Sequence, residues 1–163
     1  MLDAYSDWVS DTVKNEVVLP YVSMHGSTQK MVDHFTAALM DRGIVVKPFN
    51  LSQTDIGELA LSLVDAATVV MATPTVLFGP HPQIVYATYL ANALRPKTRY
   101  ASVIGSYGWG GKSVETIVSM LNHVNVGVLD PVLTKGLPDE AALQGLNRLA
   151  DEILQKHKEL GIV

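Results

Sequence analysis

The chain has 163 residues, 48% of them apolar and 17% charged, with a formal net charge of −4 and no cysteine. That length suits one well-buried domain, and a charged share below the usual value of about 25% points to a layered α/β domain whose strands are covered on both faces. The lack of cysteine excludes disulfides, thiolate zinc sites, iron–sulfur clusters and cysteine nucleophiles, and an acidic chain without a Lys/Arg block argues against nucleic acid or an anionic membrane as its partner.

Residues 2–13 (LDAYSDWVSDTV) read as a short amphipathic helix with Leu2, Tyr5, Trp8 and Val9 on one stripe, placed over 1–14 ahead of a domain expected over 15–163. The start carries Asp3 and Asp7 in place of a basic and then apolar leader, and no apolar run approaches about 18 residues, which leads to the expectation of a cytoplasmic protein. Apolar runs at 16–22, 44–49, 68–72, 100–105 and 126–133 read as five strands. Between them lie helical stretches whose inner stripes are visible, Met31, Phe35 and Leu39 in the first and Leu146, Leu149 and Ile153 in the last. Near-continuous apolar strands separated by single helices imply right-handed βαβ units and a doubly wound, five-stranded parallel sheet with helices on both faces.

Helix boundaries follow from local chemistry. Ser27 or Thr28 is expected to cap the first helix and Gly43 to stop it; Asp55 opens the second, Pro82 the third, and Pro138 with Asp139 and Glu140 the last. Pro20 conflicts with a central strand because it lacks an N–H, so a bulge or an early strand end is expected there.

Ligands in open α/β sheets bind outside the carboxyl ends of the strands, and three loops there are chemically distinctive. Ser23-Met24-His25-Gly26-Ser27-Thr28 places three hydroxyls and a glycine at a helix N-terminus, which suits a phosphate dianion without Lys or Arg; the plainer alternative is an ordinary capped turn. Thr73-Pro74-Thr75-Val76-Leu77-Phe78-Gly79-Pro80-His81-Pro82 reads as a stiff, extended wall for a flat ligand, or as a connector that tucks Leu77 and Phe78 into the core. Gly105-Ser106-Tyr107-Gly108-Trp109-Gly110-Gly111 sets two aromatics among glycines, leaving ring faces free to stack and backbone free to approach a ligand.

Other motifs fail on spacing. Gly111-Lys112-Ser113 lacks the first glycine of a phosphate-binding G-x-x-x-x-G-K-S loop, which falls on Ser106, and Gly108-x-Gly110 is not a dinucleotide fingerprint. His25, His34, His81, His123 and His157 show no metal-binding pairing, and no G-x-S-x-G elbow is present.

The stretches SMHGST (Ser23 to Thr28), PTVLFGPHP (Pro74 to Pro82), LRPK (Leu94 to Lys97) and GSYGWGG (Gly105 to Gly111) together resemble the flavodoxin domain of the flavodiiron proteins, the A-type flavoproteins, over nearly the whole chain. The resemblance implies a flavodoxin-like fold with strand order 2-1-3-4-5, and it implies that the helix over 1–14 is the linker that enters this domain in that family. It also implies FMN held by its phosphate through Ser23, Met24, His25, Gly26, Ser27 and Thr28. The isoalloxazine would then lie between Pro74, Thr75, Val76, Leu77, Phe78 and Gly79 on one side and Ser106, Tyr107, Gly108, Trp109 and Gly110 on the other. Gly79 and Gly108 are the candidates for turning a carbonyl toward the ring nitrogen. His25 stands where the family often has tyrosine, and Leu77 where asparagine is usual.

The implied role is electron relay, from a rubredoxin-like or flavin-reductase donor to an acceptor such as a diiron centre in cis or in trans, with a homodimer as a further expectation. The ligands of the family's diiron domain are not in this sequence, so the chain alone is not expected to reduce oxygen or nitric oxide. Two alternatives stand beside this reading: a flavin-free interaction module docking through Phe78, Tyr107 and Trp109, and an FMN-dependent quinone reductase.

Overall fold

The computed structural model describes residues 12–77, 79–94, 96–108, 112–122 and 125–163. In chain order the elements are β1 (Lys14–Tyr21), α1 (Ser27–Asp41), β2 (Val45–Asn50), α2 (Ile56–Leu63), β3 (Ala66–Val76), β4 (Gly79–Pro80), α3 (Pro82–Leu94), β5 (Tyr100–Tyr107), α4 (Ser113–Met120), β6 (Gly127–Val128), β7 (Val132–Lys135) and α5 (Glu140–Glu159). The sheet runs β2-β1-β3-β5-β6 with β7 also beside β5, all of these pairs parallel, and β4 folds back antiparallel on β3. Taking β6 and β7 as two halves of a fifth strand, this is the expected 2-1-3-4-5 order, with seven strands among the described residues in place of five.

Strand alternation divides the core in two. Val17 and Leu19 of β1 and Val70 of β3 face α1 and α5, where Met31, Phe35, Leu39, Leu146, Leu149 and Ile153 meet them. Val18, Val69, Met71 and Val103 point the other way, onto Leu59, Leu63, Ile84 and Ile117 of α2, α3 and α4. Both inner stripes read from the sequence are therefore core. Phe35 is fully buried, and its replacement by alanine would cost about 3–5 kcal/mol.

Several local expectations need correction. β1 continues through Pro20 to Tyr21, with Pro20 opposite Phe49 of β2, so the strand neither bulges nor ends there. The Val22 N–H bonds Ala72 O of β3, so the residue two earlier also faces β3, and the sheet forgoes one rung on that side only. The register shift in β1 lies between Lys14 and Val17. The fifth strand is broken: Ala101 pairs with Val128 and Ile104 with Val132, so one extra residue is accommodated opposite β5. The buried Ser102 hydroxyl donates to Leu129 O at 3.0 Å and steadies the break.

Asp55 and Asp139 cap α2 and α5 as expected, accepting from Gly57 N–H at 2.8 Å and Ala142 N–H at 2.9 Å, and Gly43, at φ 76°, follows the end of α1. Residues 1–11 of the expected leading helix lie outside the described residues; Thr12 and Val13 are not helical, and β1 starts at Lys14, inside the span assigned to a linker. No helix of the described residues is long and apolar enough to cross a membrane.

Candidate functional site

The loop after β1 caps its helix from a distance. Gly26 is the N-cap of α1 and sits at φ 90°, a left-handed conformation that glycine adopts without a Cβ penalty. Neither Ser27 nor Thr28 caps the helix. The Ser23 hydroxyl accepts from the Gly26 and Gln29 N–H groups, each at 3.2 Å, and does that work. Ser27 and Thr28 occupy the first turn, where backbone N–H groups have no intrahelical acceptor, and that turn carries no acidic residue. The nearly buried Thr28 hydroxyl reaches the Ser106 hydroxyl of β5 at 3.4 Å.

The loop after β3 is a hairpin in place of an extended wall. β3 passes the expected end at residue 72 and runs to Val76, with Thr73 opposite Gly105 and Pro74 opposite Ser106 on β5. The chain then reverses so that Thr75 pairs with Pro80 and Val76 with Gly79. At the turn Leu77 has φ 49° and is 92% exposed, so it is neither glycine nor a core residue. A left-handed leucine costs roughly 1–2 kcal/mol. At the hairpin root the buried Thr73 hydroxyl donates to Pro74 O at 2.7 Å and accepts the His81 N–H at 2.9 Å. Thr75 reaches Ser113 at the start of α4, hydroxyl to hydroxyl, at 3.3 Å.

The third loop leaves β5 at Tyr107. A side-chain carbon on Gly105 would collide with the Thr73 carbonyl oxygen, so close pairing of β3 and β5 at this point demands glycine. Gly108 faces open space.

These three loops enclose a crevice of about 220 Å³, lined by Met24, His25, Ser27, Thr28, Pro74, Thr75, Ser106, Tyr107, Gly108 and Gly136. The first nine are residues expected from the sequence. Ser23 and Gly26 shape the first loop from behind; Val76, Leu77 and Gly79 form the hairpin and do not line the crevice. Phe78, Trp109 and Gly110 lie outside the described residues. Gly136 was missed: it follows β7, at the same carboxyl edge, and its positive φ of 74° and its N–H bonded to Tyr107 O at 2.9 Å turn the chain beside the third loop. A glycine just past a strand end was the available signal.

Among the described residues, the lining contains no Lys, Arg, Asp or Glu. Hydroxyls, first-turn amides and a helix N-terminus converge there, a donor set that fits a phosphate monoester, with open glycine backbone at Gly108 on the adjoining wall. Larger hollows exist elsewhere. One of about 410 Å³ between α2 and α3 is lined mostly by apolar groups such as Leu61, Leu63 and Leu94, and one of about 480 Å³ lies along β7 and α5. Neither unites the three loops.

The opposite end of the sheet is closed on itself. The imidazole of His157, fully buried on α5, lies 2.7 Å from Asn15 Oδ1 and 2.8 Å from the Thr68 hydroxyl. Asn15 Nδ2 donates to Gly43 O, so its Oδ1 faces the ring; Nδ1 therefore carries the proton and Nε2 accepts from Thr68. Burial lowers the His157 pKa from 6.5 to about 4, keeping the ring neutral. Nearby, Asp65 takes Lys97 at 2.7 Å and Lys14 at 3.7 Å.

A doubly wound parallel sheet with a ligand crevice at its carboxyl edge, between the loops after its first, third and fourth parallel strands in chain order, defines a flavodoxin-like domain. No protein-family model matches the chain. It is 29% identical over 167 aligned positions to the coenzyme F420H(2) oxidase of Methanocaldococcus jannaschii, covering 99% of this chain and 40% of that protein. It is 26% identical to the rubredoxin-oxygen oxidoreductase of Megalodesulfovibrio gigas over 94% of this chain and 39% of that protein. The solved rubredoxin oxygen:oxidoreductase from Desulfovibrio gigas superposes with a TM-score of 0.92 at 25% identity, over 99% of this chain and 41% of that one. An archaeal flavodoxin superposes over 88% of this chain and 99% of its own, with a TM-score of 0.73 at 23% identity, which speaks for the fold alone. These likenesses support reading the chain as a flavodoxin-like FMN domain of the flavodiiron kind. It spans about two-fifths of the length of these larger proteins.

Proposed function

We propose that the crevice binds FMN and that the chain relays electrons between protein partners, from a rubredoxin-like or flavin-reductase donor to an acceptor such as a diiron centre in cis or in trans. The observation that carries this reading is the convergence of Ser27 and Thr28, Pro74 and Thr75, and Ser106 to Gly108 on one crevice whose lining, among the described residues, has no Lys, Arg, Asp or Glu side chain. Bound FMN supplies the one- and two-electron chemistry.

The residues have separate tasks. Ser27 and Thr28 hold the phosphate through hydroxyl and amide hydrogen atoms at the positive end of α1, with His25 beside them. Pro74 and Thr75 form one wall, and Ser106, Tyr107 and Gly108 the other. Gly108, open on one side, would leave its backbone carbonyl free to approach a bound ring. With no Lys or Arg among the described lining residues, negative charge on a bound ring would be poorly offset, which would lower the potential of full reduction.

The test is reconstitution with FMN, removal of free ligand, a visible spectrum and anaerobic titration with dithionite. Retained flavin bands that bleach reversibly support the reading. Protein that keeps no flavin after desalting refutes it and leaves the flavin-free interaction module.

A further inference from the structure

The hairpin after β3 is poorly equipped to hold its own position. It has two paired positions, Thr75 with Pro80 and Val76 with Gly79, one of them a proline that can donate no N–H, and its turn carries the left-handed Leu77. So short a ribbon is marginal in isolation. What fixes it lies at its root. Thr73 is 1% exposed and follows the apolar run of β3, where valine would fill the same space. Its hydroxyl is fully used: it donates to the carbonyl of the first hairpin residue, Pro74, and accepts the N–H of His81, the residue after β4. The His81 carbonyl in turn accepts the N–H groups of Ile84 and Val85, so the hydroxyl ties the returning chain and the start of α3 to the departing strand.

We propose that Thr73 is a positioning residue for the ring wall. It does not line the crevice, yet its hydroxyl sets how far Pro74 and Thr75 reach into it and so how tightly a flat ring is gripped. The inference rests on the FMN reading of the crevice. Its signature differs from that of the phosphate loop: loss of the Thr73 hydroxyl weakens binding of the ring and leaves the phosphate contribution unchanged.

The experiment compares the full chain with Thr73→Val and Thr73→Ser, measuring FMN and riboflavin dissociation constants, visible circular dichroism of the bound flavin, and amide hydrogen exchange without flavin. In Thr73→Val both affinities fall by a common factor of about ten, the energy of roughly one hydrogen bond. The dichroism of bound flavin changes, the His81 amide exchanges faster, and Thr73→Ser restores all of these to within about twofold. Unchanged affinities in a folded Thr73→Val, a loss confined to FMN, or failure of serine to rescue would each overturn the proposal. So would a freely exchanging His81 amide in the unmodified protein, a measurement that does not require the valine variant to fold. A protein that binds no flavin but protects His81 refutes the FMN reading and the ring-gripping role built on it, while the clamp itself stands.

Discussion

The two ends of this sheet handle their polar groups in opposite ways. At the amino ends, the histidine of α5, the asparagine of β1 and the threonine of β3 satisfy one another, and Asp65 draws in two lysines. At the carboxyl ends, serine and threonine hydroxyls meet only at long range, 3.4 Å between Thr28 and Ser106 and 3.3 Å between Thr75 and Ser113, and an exposed leucine is held in a disfavoured conformation. Both ends belong to the same strands, so the difference lies in the loops. One end uses its hydrogen bonds for stability; at the other, Ser23 and Thr73 are spent on shaping the loops, while the hydroxyls of Thr28, Thr75 and Ser106 are left with only weak partners.

The contrast can be broken most severely at the amino end. His157→Leu strands the Asn15 carbonyl and the Thr68 hydroxyl, which should cost about 2–5 kcal/mol in denaturant unfolding while FMN affinity changes less than about twofold. The same histidine sets a pH dependence. Its folded pKa of about 4 lies below the unfolded 6.5, so on acidification the unfolded chain takes up the proton first. Stability should therefore fall from about pH 6.5 to about pH 4, by on the order of 3 kcal/mol in excess of any loss in His157→Leu. Parallel curves for the two proteins would mean that the ring is not neutral in the fold.

At the carboxyl end the sign of the contrast reverses. Ser27→Ala with Thr28→Val should leave the unfolding free energy of the flavin-free protein within ~1 kcal/mol, yet weaken FMN about a hundredfold, two charge-assisted hydrogen bonds at about 1.5 kcal/mol each, with riboflavin little affected. Equal losses for both ligands would remove these hydroxyls from the phosphate. The smallest effect is a gain. Leu77→Asn suits the left-handed turn and should raise stability by roughly 0.5–1 kcal/mol in thermal or denaturant unfolding. No gain would indicate that the leucine side chain is stabilised in a way its 92% exposure does not suggest.

Much of this was legible in the sequence because strands covered on both sides must be apolar throughout. Val17 to Leu19 and Val69 to Met71 announce themselves, as do Asp55 and Asp139, whose caps act on neighbours two or three residues on. What was missed depends on partners distant in the chain or on strand extensions without apolar character. Thr73 to Val76 continue β3 through a threonine and proline stretch that reads as loop. Ser23 caps α1 across a gap that Ser27 and Thr28 looked better placed to fill. The break between β6 and β7 depends on Ser102 of another strand, and His157 was one of five histidines of equal standing until Asn15 and Thr68 were brought beside it. The nine crevice residues follow from loop composition and family likeness together; Gly136 does not, because a lone glycine after β7 has none of the clustered hydroxyls, prolines or aromatics that mark the other three loops.

The contact between His157 and Asn15 also brings the last helix beside the start of the first strand. Ile162 N–H bonds His157 O, so the last described turn folds back beside the histidine, while Lys14 enters β1 against Asp65. The first and last described segments thus meet at one pole, at the end of the sheet opposite the crevice. A tether, a fused module or a circular permutation joining these points would leave the opposite pole free to face another molecule.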